Sequence, residues 1–325
     1  MILVTGVAGF IGAAVAEKLL AQGRQVVGID NLNAYYEPQL KRDRLARLHA
    51  AGGDFTFEQV DVADATRLQG VFSKYRFDEV VHLAAQAGVR YSITHPLVYE
   101  QANVAGFLHL LECLRAQPPR HCVYASSSSV YGANTKLPFS EEDPVDQPVS
   151  LYAATKRANE LMAAVYARQF GLALTGLRFF TVYGPWGRPD MAPIKFTRAI
   201  LAGEPIDIYN HGDMLRDFTY IDDIVQGVLA VLERPPAGGA SEPPHRLLNI
   251  GNHQPVPLLH FIEVLEQAIG RAAQRRLLPM QPGDVHATFA DVQRLQALTG
   301  WQPSTRIEEG LPRMVRWYRE YTRCE

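Results

Sequence analysis

The sequence predicts an α/β protein: a doubly wound parallel sheet with a smaller, irregular C-terminal substrate lobe. Three observations predict it. Short apolar runs alternate with stretches of helical spacing through the first half of the chain. A glycine-rich turn closes the first of those runs, and an acidic residue closes the second. Strands that are apolar throughout, with helices between them, belong to parallel sheets covered on both faces.

The elements follow in order. Ile2-Leu3-Val4 is a first strand, ended by Thr5-Gly6. Residues 10–22 have helical spacing, with Ile11, Val15, Leu19 and Leu20 on one face. Gln25 to Ile29 is a second strand, and Pro38 to His49 a charged amphipathic stretch. Phe55 to Val60 is a third strand, and residues 64–75 a helix with Leu68 and Phe72 inward. Glu79 to Leu83 is a fourth strand, Pro96 to Leu114 a long helix and His121 to Ala125 a fifth strand. Leu151 to Phe170 is another long helix, and Ala173 to Arg178 a sixth strand. Such sheets bind ligands beyond the carboxyl ends of their strands. The places to look are therefore residues 5–12, 30–33, 61–62, 84–90, 126–131 and 179–188.

After residue 180 prolines and glycines interrupt short elements, and residues 234–245 read as an exposed loop. Residues 1–180 are expected to bind the cofactor and carry the reacting groups, and 181–325 mainly to bind substrate, interleaved with the first part.

Composition excludes several classes. With 325 residues, 47% apolar and 20% charged, the chain can bury a large core. A net charge of −2 argues against a nucleic-acid binder. Three cysteines, Cys113, Cys122 and Cys324, make neither a disulfide framework nor a zinc site, so no metal is expected. No run reaches the apolar length of a membrane helix, and Met1 leads straight into a strand with no secretion signal. The expectation is a soluble protein of a reducing cytoplasm.

The turn Thr5-Gly6-Val7-Ala8-Gly9-Phe10-Ile11-Gly12 follows a strand and opens a helix. Its spacing is GxxGxxG, and the context is that of a dinucleotide site of the Rossmann type. Gly6, Gly9 and Gly12 let a pyrophosphate approach the backbone, and a helix N-terminus offers it N–H groups and a positive dipole end. Asp30 closes the second strand 18 positions after Gly12, near the spacing for an acid that grips ribose hydroxyls. An acid there repels a 2′-phosphate, which favours NAD over NADP.

Tyr152 and Lys156 stand at i and i+4 at the start of a long helix and share a face. An ammonium beside a phenol stabilises phenolate and makes a general base for a hydroxyl. Ser126-Ser127-Ser128-Ser129 lies at the carboxyl end of the fifth strand, where a hydroxyl can relay a proton.

Together these residues resemble the extended short-chain dehydrogenase/reductase superfamily, in its nucleotide-sugar branch. The resemblance spans essentially the whole chain. Its marks are TGVAGFIG at 5–12, HLAAQAGVR at 82–90, SSSSVYG at 126–132, YAATK at 152–156 and RDFTYIDD at 216–223. Narrower marks are DNLNAYYEPQLK at 30–41, RFFTVYGPWGRPDMA at 178–192 and MQPGDV at 280–285. They look most like the UDP-glucuronate 4-epimerases.

By motif match, the resemblance implies Ser127, Tyr152 and Lys156 as the catalytic trio. It implies contacts to NAD from Gly6, Gly9, Phe10, Ile11, Gly12, Asp30, Asn31, Asn33, Leu83, Ala84, Ala85 and Asn103, with Asp61 and Val62 at the adenine and Phe179 behind the nicotinamide. It implies contacts to a UDP-sugar from Ser127, Ser128, Ser129 and Tyr152. Arg90 and Arg216 would face the diphosphate, Ile208 and Tyr209 the uracil side. Thr181 and Arg188 would lie near a sugar carboxylate. Arg suits that task because its planar fork binds carboxylate bidentately. Asp284 binds ribose or holds a turn. Asp222 caps a helix, and His82 is a core residue. The family also implies a homodimer through the helices at 96–114 and 151–170.

Related dehydratases and decarboxylases carry Glu just before the V-Y-G triplet. Ser129 stands there in this chain, which removes the second acid/base that elimination needs. The expected reaction is therefore NAD-dependent 4-epimerisation of a UDP-sugar, UDP-glucuronate foremost. A UDP-glucose/galactose 4-epimerase, a UDP-glucuronate decarboxylase and a non-catalytic NAD-sensing scaffold are the alternatives.

Overall fold

The computed structural model describes residues 1–239, 242–281 and 285–324. Its first half is β1 (Ile2–Thr5), α1 (Phe10–Ala21), β2 (Val26–Asp30), α2 (Pro38–Ala50), β3 (Phe55–Gln59), α3 (Ala65–Lys74) and β4 (Glu79–His82). Short helices α4 (Tyr91–Thr94) and α5 (Pro96–Tyr99), a π-helical turn (Glu100–Ala105), α6 (Gly106–Ala116), β5 (His121–Ser127), α7 (Leu151–Phe170) and β6 (Leu174–Phe179) follow. Then come β7 (Thr181–Tyr183), α8 (Ala192–Ala202), β8 (Pro205–Ile208), β9 (Leu215–Tyr220), α9 (Ile221–Leu232) and β10 (His245–Ile250). The chain ends with β11 (Pro255–Pro257), α10 (Leu258–Ile269), β12 (Gln274–Leu277), β13 (Ala287–Thr288), α11 (Gln293–Thr299) and α12 (Ile307–Thr322).

Seven parallel strands in the order β10-β6-β5-β4-β1-β2-β3 form the main sheet. The order reverses between β1 and β4, the crevice where such sheets bind ligands. Strands β1, β2, β4 and β6 are buried along their whole length, as strands of a parallel sheet covered on both faces are. One face is covered by α1, α2 and α9, with Val15, Leu19, Leu45 and Val228 in the core. The other is covered by α3, α6 and α7, with Leu68, Phe107, Leu111 and Ala163. Each fully buried aliphatic side chain contributes about 1.5–3 kcal/mol.

Local chemistry sets the helix ends. Glu37 and Asp64 cap α2 and α3, and Pro38 occupies the first turn of α2, where no donor is lost. The Ser150 hydroxyl accepts from Ala153 N at the start of α7, and Gly171, in the left-handed region (φ 68°), ends it. Asp222 lies within the first turn of α9 and makes no cap, contrary to expectation; N-cap Tyr220 also leaves the end without a side-chain cap.

The long helix from Pro96 runs without a gap to Ala116 and carries a π-helical turn at Glu100–Ala105. The π-helical turn lets the Asn103 carbonyl accept from Asn159 Nδ2 (2.6 Å), while its amide bridges Gln86 and Thr155. Inserted residues of this kind gather at functional sites. Strand β10, from the second half, completes the sheet beside β6, so the two halves interleave. The strands β7, β9, β11 and β13, and the pair β8–β12, form two small sheets beside the carboxyl edge.

Candidate active site

A cavity of about 370 Å³ opens over the β1–β4 crevice. Its floor is the glycine turn. Gly6 has φ 68°, and a Cβ there would meet Ala84 N at 2.7 Å. A Cβ on Gly12 would lie 2.1 Å from the Gly6 carbonyl oxygen. The turn therefore tolerates no side chain at either position. N-cap Gly9 supplies no side-chain cap, so Phe10, Ile11 and Gly12 bring the uncapped end of α1 to the cavity wall. Such an end suits the pyrophosphate of a dinucleotide.

Asp30 lines the next section. Its carboxylate accepts from Ala8 N (3.1 Å) and Leu32 N (2.9 Å), and burial raises its pKa. Asn31 donates to Asp61 (2.8 Å), and Asp61 also accepts from Ala63 N. Asn33, Val62, Leu83, Ala84, Ala85 and Phe179 line the same wall. Asn103 does not. It is buried one layer behind, its amide committed to the backbone of Gln86 in the wall. Asn103 thus stands behind the wall and holds the Gln86 backbone that forms it. The fully buried His82 pairs through Nδ1 with Thr5 (2.8 Å), and burial pushes its pKa down to about 3, as a neutral core residue requires.

At the far end Ser127, Ser128, Ser129, Tyr152 and Lys156 share the cavity. β5 runs two residues further than the apolar pattern indicates, because Ser126 and Ser127 still pair with Arg178 and Phe179 of β6. Ser127 Oγ accepts from Ser129 N (3.2 Å) and donates to Ser129 Oγ (3.2 Å). Lys156 Nζ donates to the Ala125 carbonyl (2.8 Å), and burial pulls its pKa down to about 8. Burial raises the Tyr152 pKa, while a hydrogen bond with Ser127 and the charge of Arg188 act to lower it. The Lys156 ammonium is anchored on Ala125, and Arg188 is a cation whose charge acts on the phenol.

Behind this end a buried Glu160 carboxylate receives two hydrogen bonds from Arg178 (2.8 and 2.9 Å) and one from Ser126 (2.6 Å). Above it Thr181, Val182, Arg188 and Met191 complete the wall, with Tyr35, Tyr36, Lys41 and the segment Gln86–Val89 opposite. Gln86–Val89 fall in the 84–90 stretch to which the strand ends point, whereas Tyr35, Tyr36, Lys41 and Asp190 were not expected at the site. Tyr35 and Asp190 lie inside the two loops that carry the resemblance, and clustered charge and phenol there were the available signal.

Four expected substrate contacts lie outside the cavity. Ile208 is fully buried among core side chains, so its side chain cannot meet a ligand. Arg90 and Tyr209 come together, the guanidinium 5.0 Å from the ring centre. Arg216 donates to the carbonyls of Leu215 (2.9 Å) and His286 (3.0 Å) on the β9–β13 sheet. Asp284 lies outside the described residues.

The chain is similar to known proteins along nearly its whole length. It is 48% identical to protein CapI of Staphylococcus aureus, over 98% of each chain. It is 48% identical to UDP-glucuronate 4-epimerase 4 of Arabidopsis thaliana, over 98% of this chain and 75% of that one. The crystal structure of UDP-glucuronic acid 4-epimerase from Bacillus cereus in complex with UDP-glucuronic acid and NAD superposes with a TM-score of 0.90. It is 33% identical and covers 98% of this chain and 99% of that one. Residues 2–251 match the family described as the NAD dependent epimerase/dehydratase family, and their end coincides with the strand that completes the main sheet. The chain belongs to the NAD dependent epimerase/dehydratase family.

Proposed function

We propose that the protein is an NAD-dependent UDP-sugar 4-epimerase that interconverts UDP-glucuronate and UDP-galacturonate. The observation that carries this reading is one cavity holding an uncapped glycine turn at one end and Tyr152, Ser127, Thr181 and Arg188 at the other. A dinucleotide and an acidic sugar fit that order of groups.

The glycine turn and α1 would hold the pyrophosphate, Asp30 the adenosine ribose, and Lys156 the nicotinamide ribose. Bound NAD would supply a hydride acceptor and donor for the sugar C4. Tyr152 accepts the proton of the 4-hydroxyl, directly or through Ser127, and returns it after the 4-ketose has turned over. The 4-ketone of a glucuronate is a β-keto acid and loses CO₂ readily. Thr181 and Arg188 grip the carboxylate so that the C5–C6 bond stays poorly aligned with the ketone. Ser129 offers no carboxylate for elimination chemistry.

Residues 1–180 serve mainly the cofactor and 181–325 mainly the sugar nucleotide, although β10 crosses back into the sheet. A second copy of the chain covers α6 and α7, where Leu108, Leu161 and Val165 stand exposed beside Leu97 of α5. Buried free thiols at Cys113 and Cys122 suit a cytoplasmic protein, and no described helix is long and apolar enough to cross a membrane.

Tyr152→Phe tests the assignment. It should abolish turnover while UDP-glucuronate still binds by calorimetry; near-normal activity would sink it.

A further inference from the structure

We infer that Asp190 and Tyr35 are positioning residues that lock Arg188 by one edge, so that its remaining N–H groups present a fixed fork to a sugar carboxylate. The inference rests on the reaction proposed above. Arg188 lines the cavity, and its Nε and Nη2 donate to the two oxygens of Asp190 (3.1 and 2.5 Å). Both bonds use the Nε–Nη2 edge of the guanidinium. A guanidinium has two edges that can each take a carboxylate. Asp190 occupies one, and the other is left for the ligand.

Asp190 is itself held. The Tyr35 hydroxyl donates to its Oδ2 (2.9 Å), and the Tyr35 ring packs against Tyr91 (4.7 Å between centres). Gly88 lets the opposite loop close on this phenol: a Cβ there, at φ 111°, would lie 2.7 Å from the Tyr35 hydroxyl oxygen. Three segments distant in sequence therefore converge on one guanidinium. Burial acts to raise the Asp190 pKa, but the Arg188 charge and the hydrogen bonds from Arg188 and Tyr35 together bring it below its ordinary value and keep the carboxyl ionised. The pair thus presents little net charge, and its value to the site is orientation.

Orientation matters because of the side reaction. In the 4-keto acid the C5–C6 bond can break, with CO₂ leaving and the electron pair passing into the C4 carbonyl as an enolate. Protonation at C5 then gives a 4-keto-pentose. The bond breaks fastest when it stands perpendicular to the carbonyl plane, and a rigid Arg188 holds it away from that geometry. A swinging Arg188 would still bind the carboxylate, but would not fix its angle.

The test is product partition for Asp190→Asn and Tyr35→Phe with C6-labelled UDP-glucuronate, scoring labelled CO₂ and pentose against hexuronate by NMR. Asp190→Asn should raise the pentose-to-hexuronate ratio at least tenfold, and Tyr35→Phe should raise it by a smaller factor. UDP-glucose conversion should fall less than UDP-glucuronate conversion in both. An unchanged ratio, with both substrates declining together, overturns the inference and leaves the proposed reaction standing. A wild-type protein inert toward UDP-glucuronate overturns the proposed reaction and this inference with it. Should Asp190→Asn fail to fold, Tyr35→Phe decides alone, since it removes a single hydroxyl.

Discussion

The Arg44 guanidinium donates to the Trp186 carbonyl at 2.6 Å, and through its other terminal nitrogen to the Ala8 carbonyl at 2.9 Å. One buried cation thereby ties the glycine turn of the cofactor site to the loop that carries Arg188. Tyr36 accepts a further hydrogen bond from it, and Gly187 a weaker one.

Removing that tie should loosen both loops. Arg44→Met leaves buried carbonyls without donors, each costing about 1–3 kcal/mol. Denaturant unfolding of the NAD-free protein should show a loss of about 2–4 kcal/mol, with Arg44→Lys intermediate. A loss under about 1 kcal/mol for Arg44→Met would show the contacts to be replaceable by water.

The Glu160–Arg178 pair is buried on both sides, with each side chain 1% exposed. Breaking such a pair leaves an uncompensated charge and costs about 3–5 kcal/mol. Glu160→Gln should therefore lower stability by that order, and the double replacement Glu160→Leu with Arg178→Met by less. A double variant as unstable as the sum of the singles contradicts this account.

Lys156 gives a pH dependence. Burial pulls its pKa down to about 8, so it is charged below that pH and neutral above it. If it holds the nicotinamide ribose as an ammonium, NAD affinity of the stripped protein should fall as pH rises through about 8. Titration calorimetry between pH 6.5 and 9.5 measures this. Lys156→Arg should flatten the limb, because guanidinium keeps its charge throughout; a limb that survives in that variant belongs to another group.

The apolar face of α6 and α7 predicts self-association. Leu161 and Val165 are 53% and 48% exposed one turn apart. Leu161→Glu with Val165→Glu should convert a dimer to a 36.2 kDa monomer in sedimentation equilibrium. A wild-type monomer at micromolar concentration would remove this reading.

Most of the sheet was legible in the sequence because parallel strands are buried on both faces. Ile2-Leu3-Val4 and Val80-Val81 show this as short apolar runs. The glycine turn was legible because close backbone approach admits no other residue at Gly6 or Gly12. The π-helical turn at Glu100–Ala105 was not, since what accompanies it is tertiary, such as the bond from Asn159 to the Asn103 carbonyl. Arg44, Asp190 and Tyr35 were missed for the same reason. Arg44 and Tyr35 act on partners far away in the chain, Asp190 is held by Tyr35 from 155 positions off, and none follows a local period.

The decisive measurement is to incubate the protein, as purified and without added NAD, with UDP-glucuronate and to identify the products by NMR. UDP-galacturonate is expected, formed by cofactor that stays bound through each turnover. UDP-pentose with CO₂, or no change in UDP-glucuronate alongside turnover of UDP-glucose, would contradict the proposed reaction.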